Sequence, residues 1–297
     1  MADRGSPQTF AAAVTPLRDG GEHLDEDAFG PLLDFYAASG IDGVLMLGTT
    51  GEGIMLEPGE RHRAAELAIE SAGPLRVIIH CGAQTTAATC ALAAHAAQAR
   101  ADGIAVIAPP YFPLRAEELV GHFAAAAAAC DPLPFYIYEF SDRSGYAVPP
   151  AVVMEIRERA PNLVGMKVSD KPFANVEPYL KLGLDVFVGA ESVLVEGLAH
   201  GAAGAVSGVA GAFPESVAAL VREPTAERET LVGSLRELLS RHTFQASVKA
   251  ALALRSVPLR EDVRAPLRPL HSEARRELGS ELERLLGAEA LTRPVRA

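Results

Sequence analysis

The sequence predicts an α/β fold, a (β/α)8 TIM barrel with a C-terminal helical extension. Three observations indicate it: a chain of 297 residues, eight apolar runs rich in β-branched residues, and segments of helical composition between the runs. The runs show little alternation of apolar and polar residues, which is typical of parallel strands buried on both faces. They span residues 9–17, 41–48, 75–82, 103–110, 134–140, 163–169, 185–190 and 203–209.

The segments between the runs carry helix start and stop signals. Pro58 suits a first helical turn, and Thr85 and Thr86 can cap the alanine-rich stretch that follows them. The helix after the fourth run is predicted to end near Cys130, where a proline soon follows. The same alternation of strands and helices is compatible with a doubly wound open sheet, but the number of runs favours the closed barrel.

The chain divides into a barrel over residues 1–223, which carries the active site, and a helical layer over residues 224–297 that packs on the barrel. The strand signal disappears beyond Pro224, and the remaining sequence has helical composition with breaks around Pro258 and around residues 266–269. No low-complexity linker separates the two parts, so we expect the layer to contact the barrel directly.

Composition and charge exclude several classes of function. Hydrophobic residues make up 49% and charged residues 22% of the chain, as in soluble globular proteins. The 27 basic and 38 acidic residues give a net charge of −11, so nothing indicates binding of nucleic acid or of an anionic membrane. No apolar stretch suits a signal peptide or a membrane span, and three cysteines without CxxC spacing indicate a reducing compartment. We therefore expect a cytoplasmic protein that acts on small molecules.

Lysine is rare in this chain. Only four of the 27 basic residues are lysine, namely Lys167, Lys171, Lys181 and Lys249. Lys167 stands out because it lies inside the apolar sixth run. Burial in an apolar environment lowers the pKa of a lysine and produces a neutral amine that attacks carbonyl carbons. The alternative is a lysine whose ammonium group extends from the strand end into solvent. The scarcity of lysine favours the nucleophile.

In a barrel the active site lies at the carboxyl ends of the strands, where further residues are candidates. Thr49 and Thr50, in a G-T-T-G-E run, could bind a carboxylate through hydroxyl and backbone N–H groups, or simply form a turn. Tyr138 could transfer a proton or pack at the barrel rim. Arg143, in the following loop, could bind an anion or remain solvated. His80 closes the third run and is a candidate for the pocket wall.

Other kinds of site have little support in the sequence. The eight histidines form no HxH or HExxH motif, so a metal site has little support. Glycines at positions 201, 204, 208 and 211 follow the last strands, where barrels often bind phosphate. Close packing of helices against the barrel also explains these glycines.

Three motifs at the strand ends, taken together, resemble the dihydrodipicolinate synthase and N-acetylneuraminate lyase family. They are the G-T-T-G-E run after the second strand, a tyrosine followed by S-x-R-x-G at 138–145, and G-x-K at 165–167. The similarity extends from about residue 9 to residue 270 and includes Thr15-Pro16 and the V-K-A-A-L run at 248–252. It implies a TIM barrel and a class I aldolase, which forms a Schiff base between a lysine and the 2-keto group of pyruvate or a longer 2-keto acid.

The resemblance implies a set of catalytic roles. Lys167 would form the Schiff base, and Tyr138 would transfer protons. Thr49 would hydrogen-bond to Tyr138, and Tyr111 would complete the relay, which in this family often crosses a subunit interface. A homotetramer or a homodimer is therefore expected. The protonated imine itself serves as the electron sink, so the resemblance implies no metal and no cofactor.

The resemblance also implies the substrate contacts. Thr50 would bind the carboxylate of the keto acid through its backbone N–H. Arg143 corresponds to the arginine that, in the synthase branch, meets the carboxylate of the aldehyde partner. Val206 would line the floor of the site through its carbonyl group.

The chain departs from the synthase pattern beside the tyrosine. The synthase branch usually has asparagine after the tyrosine and proline two positions later, whereas this chain has Glu139 and Ser141. Strand alternation predicts that Glu139 points away from an inward Tyr138, and a buried carboxylate there would need a cationic partner such as an arginine. A bend at Phe140 would instead turn the carboxylate into the mouth, where it would repel an anionic substrate or bind hydroxyl groups.

These observations predict Schiff-base aldolase or lyase chemistry on pyruvate or a 2-keto acid, with an aldehyde as the second small molecule. Dihydrodipicolinate synthase activity and 2-keto-3-deoxy sugar-acid aldolase or dehydratase activity are both compatible with this prediction. Two alternatives from other classes are a metal-dependent aldolase and a non-catalytic protein that senses keto acids by binding them.

Overall fold

The computed structural model describes residues 5–288 and 291 and contains a closed barrel of parallel strands. Eight strands close the barrel, and two short ones form a separate antiparallel hairpin. In chain order the strands are β1 (Gln8–Ala12), β2 (Leu17–Arg18), β3 (His23–Leu24), β4 (Gly43–Met46), β5 (Arg76–His80), β6 (Gly103–Ile107), β7 (Phe135–Glu139), β8 (Leu163–Val168), β9 (Asp185–Val188) and β10 (Gly204–Ser207). The hairpin consists of β2 and β3.

The predicted barrel is confirmed. The strand order is β1-β10-β9-β8-β7-β6-β5-β4, and β1 pairs with both β10 and β4, so the sheet has no edge and an open doubly wound sheet is wrong. Each predicted run overlaps one barrel strand, but the first strand ends at Ala12 rather than Leu17. The reason is Thr15, whose hydroxyl donates a 2.6 Å hydrogen bond to the Gly51 carbonyl oxygen, so this segment supports a neighbouring loop instead of extending the sheet.

Helices connect the strands and cover the outside of the barrel. They are α1 (Phe29–Ala37), α2 (Pro58–Glu70), α3 (Thr86–Gln98), α4 (Ala116–Cys130), α5 (Ser141–Ser144), α6 (Pro150–Arg159), α7 (Glu177–Leu180), α8 (Leu194–Ala199), α9 (Pro214–Arg222), α10 (Ala226–Leu239), α11 (Phe244–Leu254) and α12 (Ser272–Leu286). As predicted, α2 begins at Pro58 and α4 ends at Cys130. The Thr85 hydroxyl caps α3 by accepting a hydrogen bond from the Ala88 N–H.

The C-terminal part of the chain is helical, as the sequence predicts. Residues 246–252 of α11 are all buried, and the predicted proline breaks lie in the loop between α11 and α12. The predicted boundary at residues 223 and 224 falls between α9 and α10, and the division into two domains stays a prediction. Positions 289, 290 and 292–297 of the predicted layer lie outside the described residues. Within the described part, no helix has the length and apolar character that a membrane span needs.

The inward-facing side chains form layers that determine where a site can lie. Phe10, Phe187 and Val206 belong to a buried cluster inside the barrel. The register pairs Tyr138 with Lys167, and Lys167 with Phe187, so all three side chains point to the interior. Since Tyr138 and Lys167 stand near the carboxyl ends of β7 and β8, they lie above this cluster, at the mouth of the barrel.

Candidate active site

Lys167 and Tyr138 face each other at the mouth of the barrel. Lys167 is 7% exposed, and its Nζ atom lies 3.9 Å from the centroid of the Tyr138 ring. Tyr138 is 2% exposed. The structure therefore brings together the two residues to which the sequence assigns imine formation and proton transfer. The cationic form of Lys167 gains attraction from the face of the aromatic ring.

Thr49 joins this pair through a hydrogen bond. Its Oγ1 atom lies 3.1 Å from the hydroxyl oxygen of Tyr138. Thr49 belongs to a tight turn over residues 47–53, in which Leu47 and Glu52 have positive φ angles of 61° and 56°. Gly53 is required there, because a Cβ atom at that position would lie 1.8 Å from the Leu47 carbonyl oxygen. The turn thus orients the hydroxyl that contacts Tyr138.

Helix α11 supports this turn from behind, a contact that sequence reasoning missed. The Gln245 side-chain amide donates a 3.0 Å hydrogen bond to the Thr49 carbonyl oxygen. One helical turn later, Lys249 Nζ donates a 2.7 Å hydrogen bond to Glu52 Oε1, and both side chains are fully buried. The V-K-A-A-L run around Lys249 was part of the resemblance, and its lysine was the signal for this contact.

The Lys249–Glu52 ion pair is completed by backbone groups. Lys249 Nζ also donates to the Asp262 carbonyl oxygen at 2.6 Å, and Glu52 Oε2 accepts a 2.6 Å hydrogen bond from the Arg264 N–H. Burial lowers the pKa of Lys249, while the charge and hydrogen bond of Glu52 act in the opposite direction. This second buried lysine is therefore committed to a carboxylate, in contrast to Lys167.

His80 forms part of the wall beside Tyr138, as the sequence predicted. The two rings are perpendicular, with centroids 5.8 Å apart, and His80 Nδ1 lies 3.0 Å from the Leu47 carbonyl oxygen. Burial, and then the positive charge of Arg61, lower the pKa of His80 to about 3, so the imidazole is neutral. Arg61 is held in place because it donates hydrogen bonds to the carbonyl oxygens of His80 and Gly82, at 2.7 and 3.0 Å.

Gly189 leaves room for the Lys167 side chain. A Cβ atom at position 189 would lie 2.1 Å from Ser169 Oγ and 3.1 Å from Lys167 Cε. An alanine at the carboxyl end of β9 would require the Ser169 hydroxyl and the Lys167 side chain to shift. No sequence pattern indicates this role, because the glycine becomes important only when β8 and β9 pair.

Arg143 is the last of a series of contacting side chains that begins with Lys167 and continues through Tyr138 and Phe140. It belongs to α5, is exposed to solvent, and places its guanidinium group 5.6 Å from the centroid of the Phe140 ring. Phe140 in turn stacks on Tyr138, with ring centroids 6.1 Å apart. Thr50 is buried on the turn next to Thr49, and Val206 is buried in the layer below. The binding roles of these three candidates remain predictions.

Close packing accounts for two of the four glycines near the last strands. A Cβ atom at Gly204 would lie 1.9 Å from the Gln8 carbonyl oxygen, and one at Gly208 would lie 3.0 Å from the Phe244 ring. Among residues 5–288 and 291, no group of three or more His, Cys, Asp and Glu side chains could hold a metal ion. The absence of a cofactor stays a prediction.

The sequence model of the Dihydrodipicolinate synthetase family matches this chain over residues 6–285. The chain belongs to this family. Related members carry the names lyase and N-acetylneuraminate lyase, and the enzymes of this family are lyases of the aldolase type. The protein is therefore a lyase of the Dihydrodipicolinate synthetase family, as the motifs predicted.

Individual relatives agree over almost the whole chain. An uncharacterised DapA-like lyase of Halobacterium salinarum is 34% identical and covers 94% of this chain and 95% of its own. YagE from E. coli K12 is a prophage protein of the dihydrodipicolinic acid synthase family, and its structure was determined in complex with pyruvate. It aligns with a TM-score of 0.88 and 26% identity, over 94% of this chain and 98% of that chain. N-acetylneuraminate lyase of Proteus mirabilis aligns with a TM-score of 0.86 and 28% identity, over 94% and 98%.

Tyr111 lies apart from the other candidates within one chain of this lyase. Its side chain is 81% exposed, its φ angle is 87°, and its ring contacts Phe112, which is 70% exposed. Within the described residues, no hydrogen bond joins Tyr111 to Thr49 or Tyr138. A single chain therefore does not bring Tyr111 into the relay.

Glu139 points away from the mouth of the lyase, as strand alternation predicted. It is 1% exposed, and its Oε2 atom accepts a 2.8 Å hydrogen bond from the Val148 N–H, in the core between barrel and helices. The expected arginine partner is wrong: no ion pair to Glu139 occurs in the described part of the chain, and Oε1 has no hydrogen-bond partner. Burial, followed by the neighbouring Asp170 carboxylate, raises the pKa of Glu139 to about 8, so a bound proton replaces the cation.

Proposed function

We propose that this lyase is a class I aldolase that forms an imine between Lys167 and pyruvate or another 2-keto acid, and that makes or breaks a carbon–carbon bond with an aldehyde. The observation that carries the proposal is the buried Lys167 amine above the ring of Tyr138, whose hydroxyl is hydrogen-bonded to Thr49. A reactive amine beside an oriented proton-transfer group is the arrangement that imine chemistry needs.

The reaction follows from these positions. The Lys167 amine attacks C2 of the keto acid through its nitrogen lone pair, and a proton transferred by Tyr138 allows the carbinolamine to lose water. The resulting protonated imine draws electrons from C3, so a proton leaves C3 and an enamine forms. The enamine attacks the aldehyde carbon, a proton reaches the new alkoxide, and water then hydrolyses the imine. The cleavage direction runs through the same steps in reverse.

The candidate binding residues favour two substrates that each carry an acid group, a keto acid and an acidic aldehyde. The keto-acid carboxylate binds the backbone N–H of Thr50 in the turn over residues 47–53, and the Val206 carbonyl lines the floor. Arg143, exposed at the rim, meets an acid group on the aldehyde. Glu139 is directed away from the mouth, so its carboxylate offers no repulsion to an anionic aldehyde. These positions favour a synthase-like reaction with an acidic aldehyde. Aldol cleavage or dehydration of a 2-keto-3-deoxy sugar acid is the less favoured alternative.

A neighbouring copy would supply Tyr111. We expect a homodimer or homotetramer in which the exposed Tyr111 of one copy reaches the Thr49–Tyr138 pair of another. Mixing Tyr111→Phe and Lys167→Arg proteins tests this. If Tyr111 acts between copies, the mixture regains activity, because a hybrid oligomer contains a site with both residues intact. If no activity returns although hybrids form, Tyr111 does not act in this way.

The decisive experiment for the function is chemical trapping. The protein is incubated with pyruvate, reduced with borohydride and analysed by intact mass and peptide mapping. We expect one adduct per chain, on Lys167, and none in Lys167→Arg, because arginine retains the charge but is no nucleophile. Lys181→Arg is the matched control and should be labelled like the wild type, since Lys181 is an exposed surface lysine.

Other outcomes would identify other functions. An adduct on Lys171 or Lys181 would contradict the assignment of Lys167. Binding of pyruvate without any adduct would indicate a keto-acid sensor, and loss of turnover with a chelator would indicate a metal-dependent aldolase. A panel of acidic and hydroxylated aldehydes, scored for pyruvate consumption or release, then identifies the second substrate. A preference for hydroxylated aldehydes would contradict the role of Arg143.

A further inference from the structure

The loop that carries Arg143 is held at both ends by carboxylates from outside the proposed chemistry. This loop, residues 140–149, joins β7 to α6 and contains α5. At its start, the backbone N–H and the hydroxyl of Ser141 donate to Asp170 Oδ1, at 3.1 and 3.0 Å. Near its end, the Val148 N–H donates to Glu139 Oε2 at 2.8 Å.

Both carboxyl groups are buried, and Asp170 is near enough to Glu139 to raise the pKa of that residue. Glu139 is 1% exposed and Asp170 is 6% exposed. The charged or titratable groups that face Glu139 are the Asp170 carboxyl group, which follows β8, and the phenols of Tyr146, in the loop itself, and Tyr179, on α7. Within the described residues, neither carboxylate has an ion pair to lysine, arginine or histidine. The pair therefore carries no compensating cation.

A proton shared by the two carboxyl groups removes the repulsion between them and takes the place of a cation. Glu139 Oε1 is buried without a partner, and a proton on it becomes a donor toward Asp170. Burial in the first place, and Asp170 in addition, raise the pKa of Glu139 to about 8, so the proton is present at neutral pH. Once it is lost, two like charges lie next to each other in an apolar environment, and they separate or admit water.

We propose that Glu139 and Asp170 are positioning residues whose shared proton holds the 140–149 loop, and with it Arg143, in the geometry that binds the acid group of the second substrate. Loss of the proton releases Ser141 or Val148, and Arg143 moves with the loop. The proposal rests on the proposed function insofar as Arg143 binds that acid group. It adds that binding of the acidic aldehyde depends on the protonation of a pair behind the site.

Glu139→Gln is the informative variant, because glutamine reproduces the protonated acid. Its carbonyl oxygen can accept from the Val148 N–H while its amide donates to Asp170, and neither group titrates. In the wild type, we expect KM for an acidic aldehyde to rise about tenfold from pH 7 to pH 9, with kcat less affected, as a single ionisation near pH 8 requires. In Glu139→Gln this rise should be absent. An aldehyde without an acid group should show no difference between the two proteins.

Hydrogen exchange reports on the loop without any reaction. Peptides covering residues 140–149 are compared between wild type and Glu139→Gln at the same pH, which cancels the intrinsic dependence of exchange on pH. We expect equal protection at pH 7 and at least several-fold faster exchange in the wild type at pH 9. If Glu139→Gln does not fold, Asp170→Asn replaces it, since asparagine still accepts from Ser141 and can donate to Glu139.

The two proposals fail separately. Equal exchange of the loop in both proteins at pH 9, or the same rise in KM in Glu139→Gln as in the wild type, would overturn the role of the carboxyl pair. Absence of a pyruvate adduct on Lys167 would overturn the proposed function, and the exchange experiment would still decide whether the pair holds the loop.

Discussion

Lys249→Met is the substitution whose effect on stability follows most directly from the structure. It removes an ammonium group that is fully buried and donates to Glu52 Oε1 at 2.7 Å and to the Asp262 carbonyl oxygen at 2.6 Å. Methionine has a similar length and fills much of the same space, so the cavity contribution is small. The remaining effect is that Glu52 stays buried with the Arg264 N–H as its donor and without a cation.

The magnitude is that of breaking a buried ion pair on one side. Such a change costs about 3–5 kcal/mol, because the remaining charge is uncompensated, and two lost hydrogen bonds to a charged donor give a similar figure. Replacing both partners, as in Glu52→Gln with Lys249→Met, removes the uncompensated charge. We expect the double variant to lose less free energy of unfolding than the sum of the two single variants.

Urea denaturation followed by circular dichroism measures these free energies at pH 7. Lys181→Met is the matched control: its ion pair with Glu177 lies at the surface, and we expect a loss below about 0.5 kcal/mol. A loss of less than about 1 kcal/mol in Lys249→Met would contradict this prediction, because it would mean that the unpaired Glu52 carboxylate is not costly to bury. Simple additivity in the double variant would refute the coupling of the pair.

Three further predictions concern the mouth of the barrel and the core behind it. In steady-state kinetics, Tyr138→Phe should lower kcat by about 10² to 10⁴ while the protein stays folded. Thr49→Val should also lower kcat, and the effects of the two substitutions should be less than additive in the double variant, because both residues serve one relay. Gly189→Ala should slow formation of the borohydride-trapped adduct by at least about tenfold, since the methyl group would crowd Lys167 Cε at 3.1 Å; an unchanged trapping rate would contradict this role. Glu139→Gln should become more stable relative to the wild type as pH rises. The pKa of Glu139 is about 8 in the folded wild type and about 4.5 in the unfolded chain, so the unfolded chain releases this proton at lower pH. The wild type therefore loses free energy of unfolding as pH rises between these two values. Relative to the variant, it should lose about 3 kcal/mol between pH 6 and pH 9 in urea titrations, and parallel curves would show that Glu139 does not hold the proton.

Patterns in the amino-acid sequence are sufficient to predict the architecture and the centre of the site. Eight apolar runs separated by helical segments predict a barrel, because parallel strands buried on both faces must be apolar throughout. A barrel brings the carboxyl ends of its strands to one mouth, so the residues that end or follow the strands could be grouped without knowing their contacts. Lys167, Tyr138 and Thr49 became candidates in this way, the resemblance implied their roles, and the structure places them in contact.

The pairing of the buried charged groups, in contrast, depends on contacts that form only in the folded chain. Lys167 and Lys249 are both rare lysines in apolar segments, and burial alone does not distinguish them. The difference is Glu52, which is 197 positions away from Lys249 and meets it only after α11 packs behind the turn at the barrel mouth. In the same way, strand alternation predicted the direction of Glu139, but the absence of a cation and the presence of Asp170 depend on how β8 and the loop after β7 meet. Local pattern specifies strands, helices and faces because backbone geometry is periodic, whereas the partner of a buried charge comes from a distant part of the chain that only folding brings close.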